Sequence, residues 1–379
     1  MQQNVITLKN PPAVLSYASA VGKKESEGPL KDYFDVINTD TSMGQDSWEK
    51  AESLFQKTAL KTAMKKRGYK DEDIDIIFAG DLLAQCAGSS FGMRGFSIPY
   101  AGVYGACSTM ALSLILASLS VDGSYAKKAA AITSSHFCSA EKQFRKPLEY
   151  GGQRPPSAQW TVTGSGCVIL GENEEKAPHI EKVIFGKVRD LGVTDENNMG
   201  AAMAPAACET IARFLQGTNT KPSDYDLILT GDLGAVGKKL LYEMLEKEYD
   251  IDISKVHNDC GLMIYKLDEQ DVNAGGSGCG CSASVLCSKI MKELFDGTIE
   301  KMLFVADNHS SGRDRARHSS RSIFDRGQKM KKTYDGIKLL KYVSTLSQVL
   351  DFLSAAASAV TAATAICVLC AVAKRLVKA

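Results

Sequence analysis

The chain has 379 residues, 44% of them apolar and 23% charged, which is enough to bury a large core in two domains or in one fused double domain. Forty-five Lys and Arg stand against forty-four Asp and Glu, and a net charge of +1 leaves no overall electrostatic footprint for nucleic acid. The first residues lack a charged segment followed by an apolar run, so no secretory signal and a cytosolic start are expected, with the eleven cysteines as thiols.

Along the chain, Asp75 to Ala84 (DIIFAGDLLA) is an apolar run ending in Gly-Asp-Leu, the pattern of a buried strand that delivers a polar residue at its C-terminal end. Cys107 to Gly123 then reads as a helix and Ala129 to Thr133 as a strand. The series recurs: Asp226 to Ala235 (DLILTGDLGA), Cys281 to Gly297, aligned with Cys107 to Gly123 without a gap, and Met302 to Ala306. Strand, helix, strand in each half predicts parallel pairing covered by helices, and two repeated segments in the same order predict an internal duplication. The first pair is offset by 151 residues and the second by 174, which places 23 inserted residues between Gly237 and Gly275, where His257 to Lys266 lies.

Two other chemistries are set aside at this point. Cys260, Cys279, Cys281 and Cys287 lack the spacing of a zinc knuckle, so no metal is expected. The run Gly275 to Gly280 lacks the Walker lysine and the dinucleotide spacing, so no cofactor is expected; its predicted use is close backbone approach at a helix start, where N–H groups could face a carboxylate.

A duplicated α/β unit with a cysteine opening a central helix resembles the thiolase and ketoacyl-synthase superfamily, with Tyr104-Gly105-Ala106-Cys107-Ser108-Thr109 at the nucleophile position. Four further motifs, GKKESEGPLKDYFD from Gly22, NNMGAAMAPAA from Asn197, VHNDCGLMIY from Val256 and AGGSGCGCSAS from Ala274, resemble the stage V sporulation protein AD family. The likeness runs from about Val5 to Ala306. It implies a duplicated thiolase-like fold, two related halves with central mixed sheets covered by helices, here 1–173 and an incomplete 174–306. It also implies binding of dipicolinic acid (pyridine-2,6-dicarboxylate), for uptake into the developing spore, rather than turnover of a thioester. A homodimer peripheral to the spore inner membrane, acting with other spore membrane channel proteins of the same system, belongs to the same expectation.

Catalysis in the superfamily needs a histidine to activate the thiol and a second polar group for the oxyanion. Where the ketoacyl-synthase branch keeps its histidine this chain has Gly231-Asp232-Leu233-Gly234, and where it keeps an asparagine the chain has Gly275-Gly276-Ser277-Gly278. A helix N-terminus at Cys107 would favour the thiolate, whereas Asp232 facing it would disfavour the thiolate. Of the five histidines, His136 follows the first central strand, and His257 with Asn258 could supply a relocated base and donor. A dicarboxylate also needs cations or helix starts that converge between the halves, for which the helix starts at Cys107 and Cys281 and the charges of Lys23, Lys24, Arg94 and Arg145 are candidates. The alternatives to ligand binding are an acyltransferase or condensing enzyme using Cys107, and a scaffold of a membrane channel complex.

From Asp307 the family pattern stops. For Ser311 to Ile323 (SGRDRARHSSRSI) codons exist that read QGETVPGIAHAVS in the neighbouring frame, a string resembling the missing family C-terminus, so a frameshift near Asp307 is expected, with residues 307–379 an atypical tail. Residues 352–373 are uncharged and long enough to span a bilayer, although rich in Ala, Ser and Thr.

Overall fold

The structure, a computed structural model, describes residues 5–144, 154–172, 174, 176–195 and 197–306. Arg145 and the tail from Asp307, with its apolar segment at 352–373, lie outside them. In the first half, β1 (Val5–Thr7) and β2 (Ala13–Val21) lead through the one-turn α1 (Lys23–Ser26) and β3 (Val36–Ile37) to the long α2 (Trp48–Arg67). Next come β4 (Ile76–Gly80), α3 (Ala87–Met93), β5 (Tyr100–Gly102), α4 (Thr109–Asp122), β6 (Lys128–Ser135), α5 (Phe137–Phe144), β7 (Trp160–Thr161) and β8 (Gly164–Gly171). The second half begins with β9 (Lys182–Ile184), α6 (Met199–Thr218), β10 (Leu227–Thr230), α7 (Gly234–Tyr249) and β11 (His257–Asp259). It continues with α8 (Cys260–Met263), β12 (Gly276–Ser277), α9 (Cys279–Val285), α10 (Met291–Phe295) and β13 (Met302–Val305).

The duplication reaches further than the repeated sequence. Helices α2 and α6 share the 151-residue offset at both ends, although their residues have diverged. Each starts on a side-chain cap, Ser47 accepting from the Lys50 N–H at 3.3 Å and Asn198 from the Ala201 N–H at 3.2 Å. Each stops on a left-handed residue, Gly68 or Asn219; such caps contribute about 1 kcal/mol apiece. The strands that follow are tied alike: Asp75 accepts from the Lys127 and Lys128 N–H groups at 2.7 and 2.9 Å, and Asp226 from those of Glu300 and Lys301 at 2.9 Å each.

The first half builds a mixed six-stranded sheet, order β3-β2-β8-β6-β4-β5, and the second a parallel three-stranded one, order β11-β10-β13. Strands β4 and β6 pair in parallel with Ile76 beside Ala129, as β10 and β13 do with Leu227 beside Met302. Among the described residues β13 has no partner on its outer side, where the equivalent β6 carries β8.

The register also relocates the insertion. Tyr100 sits beside Ile77 and His257 beside Ile228, so β11 is the counterpart of β5, offset by 157 residues, and His257 is not on an added element. The inserted residues divide into six before β11, which lengthen α7, and seventeen after it, comprising α8 and the loop to Gly275.

Burial sets the layers. Phe55, Ala59, Leu60 and Ala63 of α2 seal one face of the large sheet, against Ile77, Ala130, Ile132 and Ile169. Its other face meets α4 and α9 together, in a core that also takes Leu229 from the small sheet. On the far side of the small sheet, α6 and α7 cover Ile228, Leu303 and Val305. The second-half helix is not one regular element: a π turn over Leu286–Ile290 separates α9 from α10, with the Ser288 hydroxyl bonding back to the Ser284 carbonyl at 2.7 Å.

Candidate functional site at the junction of the halves

Cys107 lies in a 3-10 turn, Ala106–Ser108, immediately before α4 and under a left-handed Ala106 (φ +44°). The expected thiolate-favouring helix start is outweighed here. Burial, followed by the facing carboxylate of Asp232, holds the thiol well above its ordinary range. Asp232 emerges from the end of β10 and is itself buried, its carboxyl pushed up to about 6 chiefly by desolvation.

The glycine run before α9 is shaped around that carboxylate. Gly278 adopts φ +94°, a region a side chain would strain, and its N–H donates to Asp232 Oδ2 at 2.7 Å. The Ser277 hydroxyl adds a longer bond at 3.3 Å, and Oδ1 is buried without a hydrogen-bond partner among the described residues. Cys281 therefore does not open the helix, which begins two residues earlier at Cys279. This corrects the expectation for Gly278, whose N–H was to face an outside ligand: the anion it meets at this helix start is Asp232. At the other start, the Gly105 N–H is taken by the Thr109 hydroxyl at 3.1 Å.

The two candidate histidines, His257 and His136, are engaged elsewhere. His257 Nε2 meets the Thr230 hydroxyl at 3.0 Å and Nδ1 the Tyr242 hydroxyl at 3.1 Å. Burial depresses its pKa to about 3, helped by the Lys238 charge, so it is a neutral, satisfied residue of β11 rather than a relocated base. Asn258 turns its side chain to the Asp259 N–H at 2.9 Å. His136 is packed against Trp48 and Phe55, with Nε2 on the Thr41 carbonyl at 2.9 Å and Nδ1 accepting from the Cys138 N–H at 3.1 Å. Among the described residues no cluster of His, Cys, Asp or Glu has the arrangement to hold a metal ion.

Because His257 is favoured neutral, its contribution to stability is complete above the ordinary histidine range and is lost as pH falls toward 3. His257→Gln is expected to flatten the loss of unfolding free energy between pH 7 and pH 4, measured by urea titration. An equal loss in both proteins would refute a buried neutral imidazole.

Of the candidate cations, Lys23 and Arg94 are exposed, Arg94 standing 5.6 Å from the Phe91 ring. Lys24 alone turns to the junction, its Nζ 4.0 Å from the Trp160 ring centroid. Residues outside the candidate set complete the surroundings. The Gln159 amide donates to the carbonyls of Asp232 and Gly276, both at 2.7 Å, bracing the turn that holds the carboxylate. Glu25 is fully buried, accepts from the Thr163 N–H at 3.0 Å and from the Tyr265 hydroxyl, and so fastens α1 to the inserted loop. The signal for Glu25 and Tyr265 was their place inside two of the resembling motifs.

A family model described as Stage V sporulation protein AD (SpoVAD) matches residues 2–311. The chain belongs to the stage V sporulation protein AD family. It is 45% identical over 298 residues to the stage V sporulation protein AD of Bacillus subtilis (strain 168), covering 79% of this chain and 87% of that protein. Among solved structures it resembles 3-oxoacyl-(acyl carrier protein) synthase III of Xanthomonas oryzae pv. oryzae at TM-score 0.53 and 14% identity, covering 79% of this chain and 96% of that one. It resembles OleA of Xanthomonas campestris at TM-score 0.53 and 13% identity, covering 79% and 95%. These likenesses establish the thiolase-like fold for this SpoVAD family member.

Proposed function

We propose that this family member binds dipicolinic acid without chemistry, for uptake into the developing spore. The observation that carries the non-catalytic part is Asp232 against Cys107. A carboxylate stands beside the thiol where a condensing enzyme needs a base, and both charge and burial oppose the thiolate. Membership of the stage V sporulation protein AD family supports this choice of ligand. The same reading makes the protein peripheral to the spore inner membrane, acting with other membrane channel proteins of its system; among the described residues no helix is long and apolar enough to cross a membrane. It also makes the protein a homodimer, which the unpaired outer edge of β5 among the described residues supports, since a two-fold copy could continue the sheet there.

Calorimetric titration with pyridine-2,6-dicarboxylate, run beside a mass-spectrometric test for acylation of Cys107 by acyl-thioesters, checks the reading. Saturable binding without acylation is expected. Acylation without binding would replace it with an acyltransferase, and neither would replace it with a scaffold.

A further inference from the structure

The junction holds a second cluster of charge and aromatic surface, away from the thiol. The rings of Phe137 and Trp160 stack at 3.9 Å with 7° between their planes. The Arg154 guanidinium lies 4.4 Å from the Trp160 centroid and 4.9 Å from that of Phe137, and Lys24 Nζ lies 4.0 Å from Trp160. Two cations thus share one indole, and the Arg154 charge disfavours that of Lys24, which burial already lowers. Arg154 is offset by Glu141 at 2.9 Å. Lys24 has no ion pair among the described residues, the nearby acids Asp271, Glu25 and Glu27 standing beyond ion-pair distance.

The cluster is held, not incidental. The Lys24 carbonyl accepts from the Gln270 amide at 2.7 Å, and its neighbour Glu25 is locked by Tyr265 and Thr163, so the inserted loop fixes the lysine's backbone. Trp160 sits on β7, paired with Gly276 of β12, one residue from the Gln159 that braces Asp232. Arg154 also donates to the Gln159 carbonyl at 3.3 Å. A half-buried cation pair with one member outside any ion pair among the described residues, beside a fixed aromatic wall, matches an aromatic ring bearing a carboxylate.

From this we infer that Lys24 and Arg154, backed by Trp160 and Phe137, form the seat for one carboxylate of an aromatic carboxylic acid. The inference deepens the dipicolinic acid reading and rests on it for the natural ligand. It also removes a difficulty of that reading, because an anion placed on Cys107 would meet Asp232.

The chain has two tryptophans, so Trp48→Phe leaves Trp160 as the sole indole reporter. In that background, emission excited at the red edge is titrated with dipicolinate and with benzoate, for the parent, Lys24→Gln, Arg154→Gln and Arg154→Lys, each checked for folding by circular dichroism. The parent is expected to respond saturably to both acids. Loss of one charge-assisted contact is expected to weaken binding about tenfold or more in Lys24→Gln and Arg154→Gln, with Arg154→Lys close to the parent. Calorimetric binding of dipicolinate with a silent Trp160, or with Lys24→Gln unchanged in affinity, would overturn the seat and leave the proposed function standing. A Trp160 response to benzoate with no calorimetric binding of dipicolinate would uphold the seat and overturn the function. Silence of Trp160 toward both acids would overturn the seat.

Discussion

Asp232→Asn is expected to make Cys107 react with small alkylating reagents at lower pH than in the parent. Two causes hold the thiol up, burial first and the Asp232 charge second, and the substitution removes only the second. Each unit by which the thiol pKa falls gives about tenfold more thiolate at a fixed pH below it, so about a tenfold faster alkylation near pH 8 is the expected scale. The Cys107 peptide must be followed by mass spectrometry, because eleven cysteines are present. An unchanged rate profile would mean that Asp232 does not govern the thiol, and the argument against catalysis would lose its support.

The same substitution carries a stability signature of definite sign. The Asp232 carboxyl rises to about 6 from an ordinary value of 3.8, so folding favours its protonated form. Its stabilising contribution is present below the ordinary value and disappears as pH rises through about 6. Above that pH the charged form costs on the order of 3 kcal/mol, a little over two units of pKa. Asparagine keeps an oxygen for the Gly278 N–H and carries no charge. Asp232→Asn is therefore expected to unfold at higher urea than the parent at pH 7.5, with the advantage gone near pH 4.

Gly166→Ala is expected to have a large effect on folding. Gly166 lies in β8, where α9 crosses the large sheet, and a Cβ there would stand 2.2 Å from the Ala283 carbonyl oxygen and 2.9 Å from Cys287 Sγ. Backbone fills the space, so relief requires α9 to move off the sheet, taking with it the turn that presents Gly278 to Asp232. A cost of about 3 kcal/mol or more is expected from overpacking at a site that cannot yield. Soluble expression and thermal unfolding check it, and a variant with an unchanged midpoint would show that α9 sits less closely than described.

The architecture was legible in the sequence where short-range pattern decides it. The two Gly-Asp-Leu strands, the Cys-Ser helices and the strands after them were readable because buried β4 and β10 admit few residue types. The equivalence of α2 and α6 was not, because α2 turns lysines to solvent while α6 is buried against α7, and each surface demands different side chains. At the site, the absence of a base beside Cys107 could be read directly, and so could the possibility that Asp232 opposes it. The satisfied state of His257 could not, since its second partner, Tyr242, comes from α7 and no local pattern links them. The helix start at Cys279 was likewise hidden, because the left-handed Gly278 that sets it depends on a hydrogen bond to a strand 46 residues away. Arg154, Phe137 and Trp160 carried no motif at all; β7 and the start of α5 meet only once the sheet has formed.

The placement of α9 has a consequence during synthesis. The large sheet is complete in sequence when Gly171 has been made, yet the helix that dries one of its faces begins at Cys279. At ribosomal rates that interval lasts roughly 5 to 20 s. Throughout it the nascent chain carries a sheet with one face covered only in part, by α4, a natural client for chaperones, and a polypeptide released at the end of its first copy would remain one.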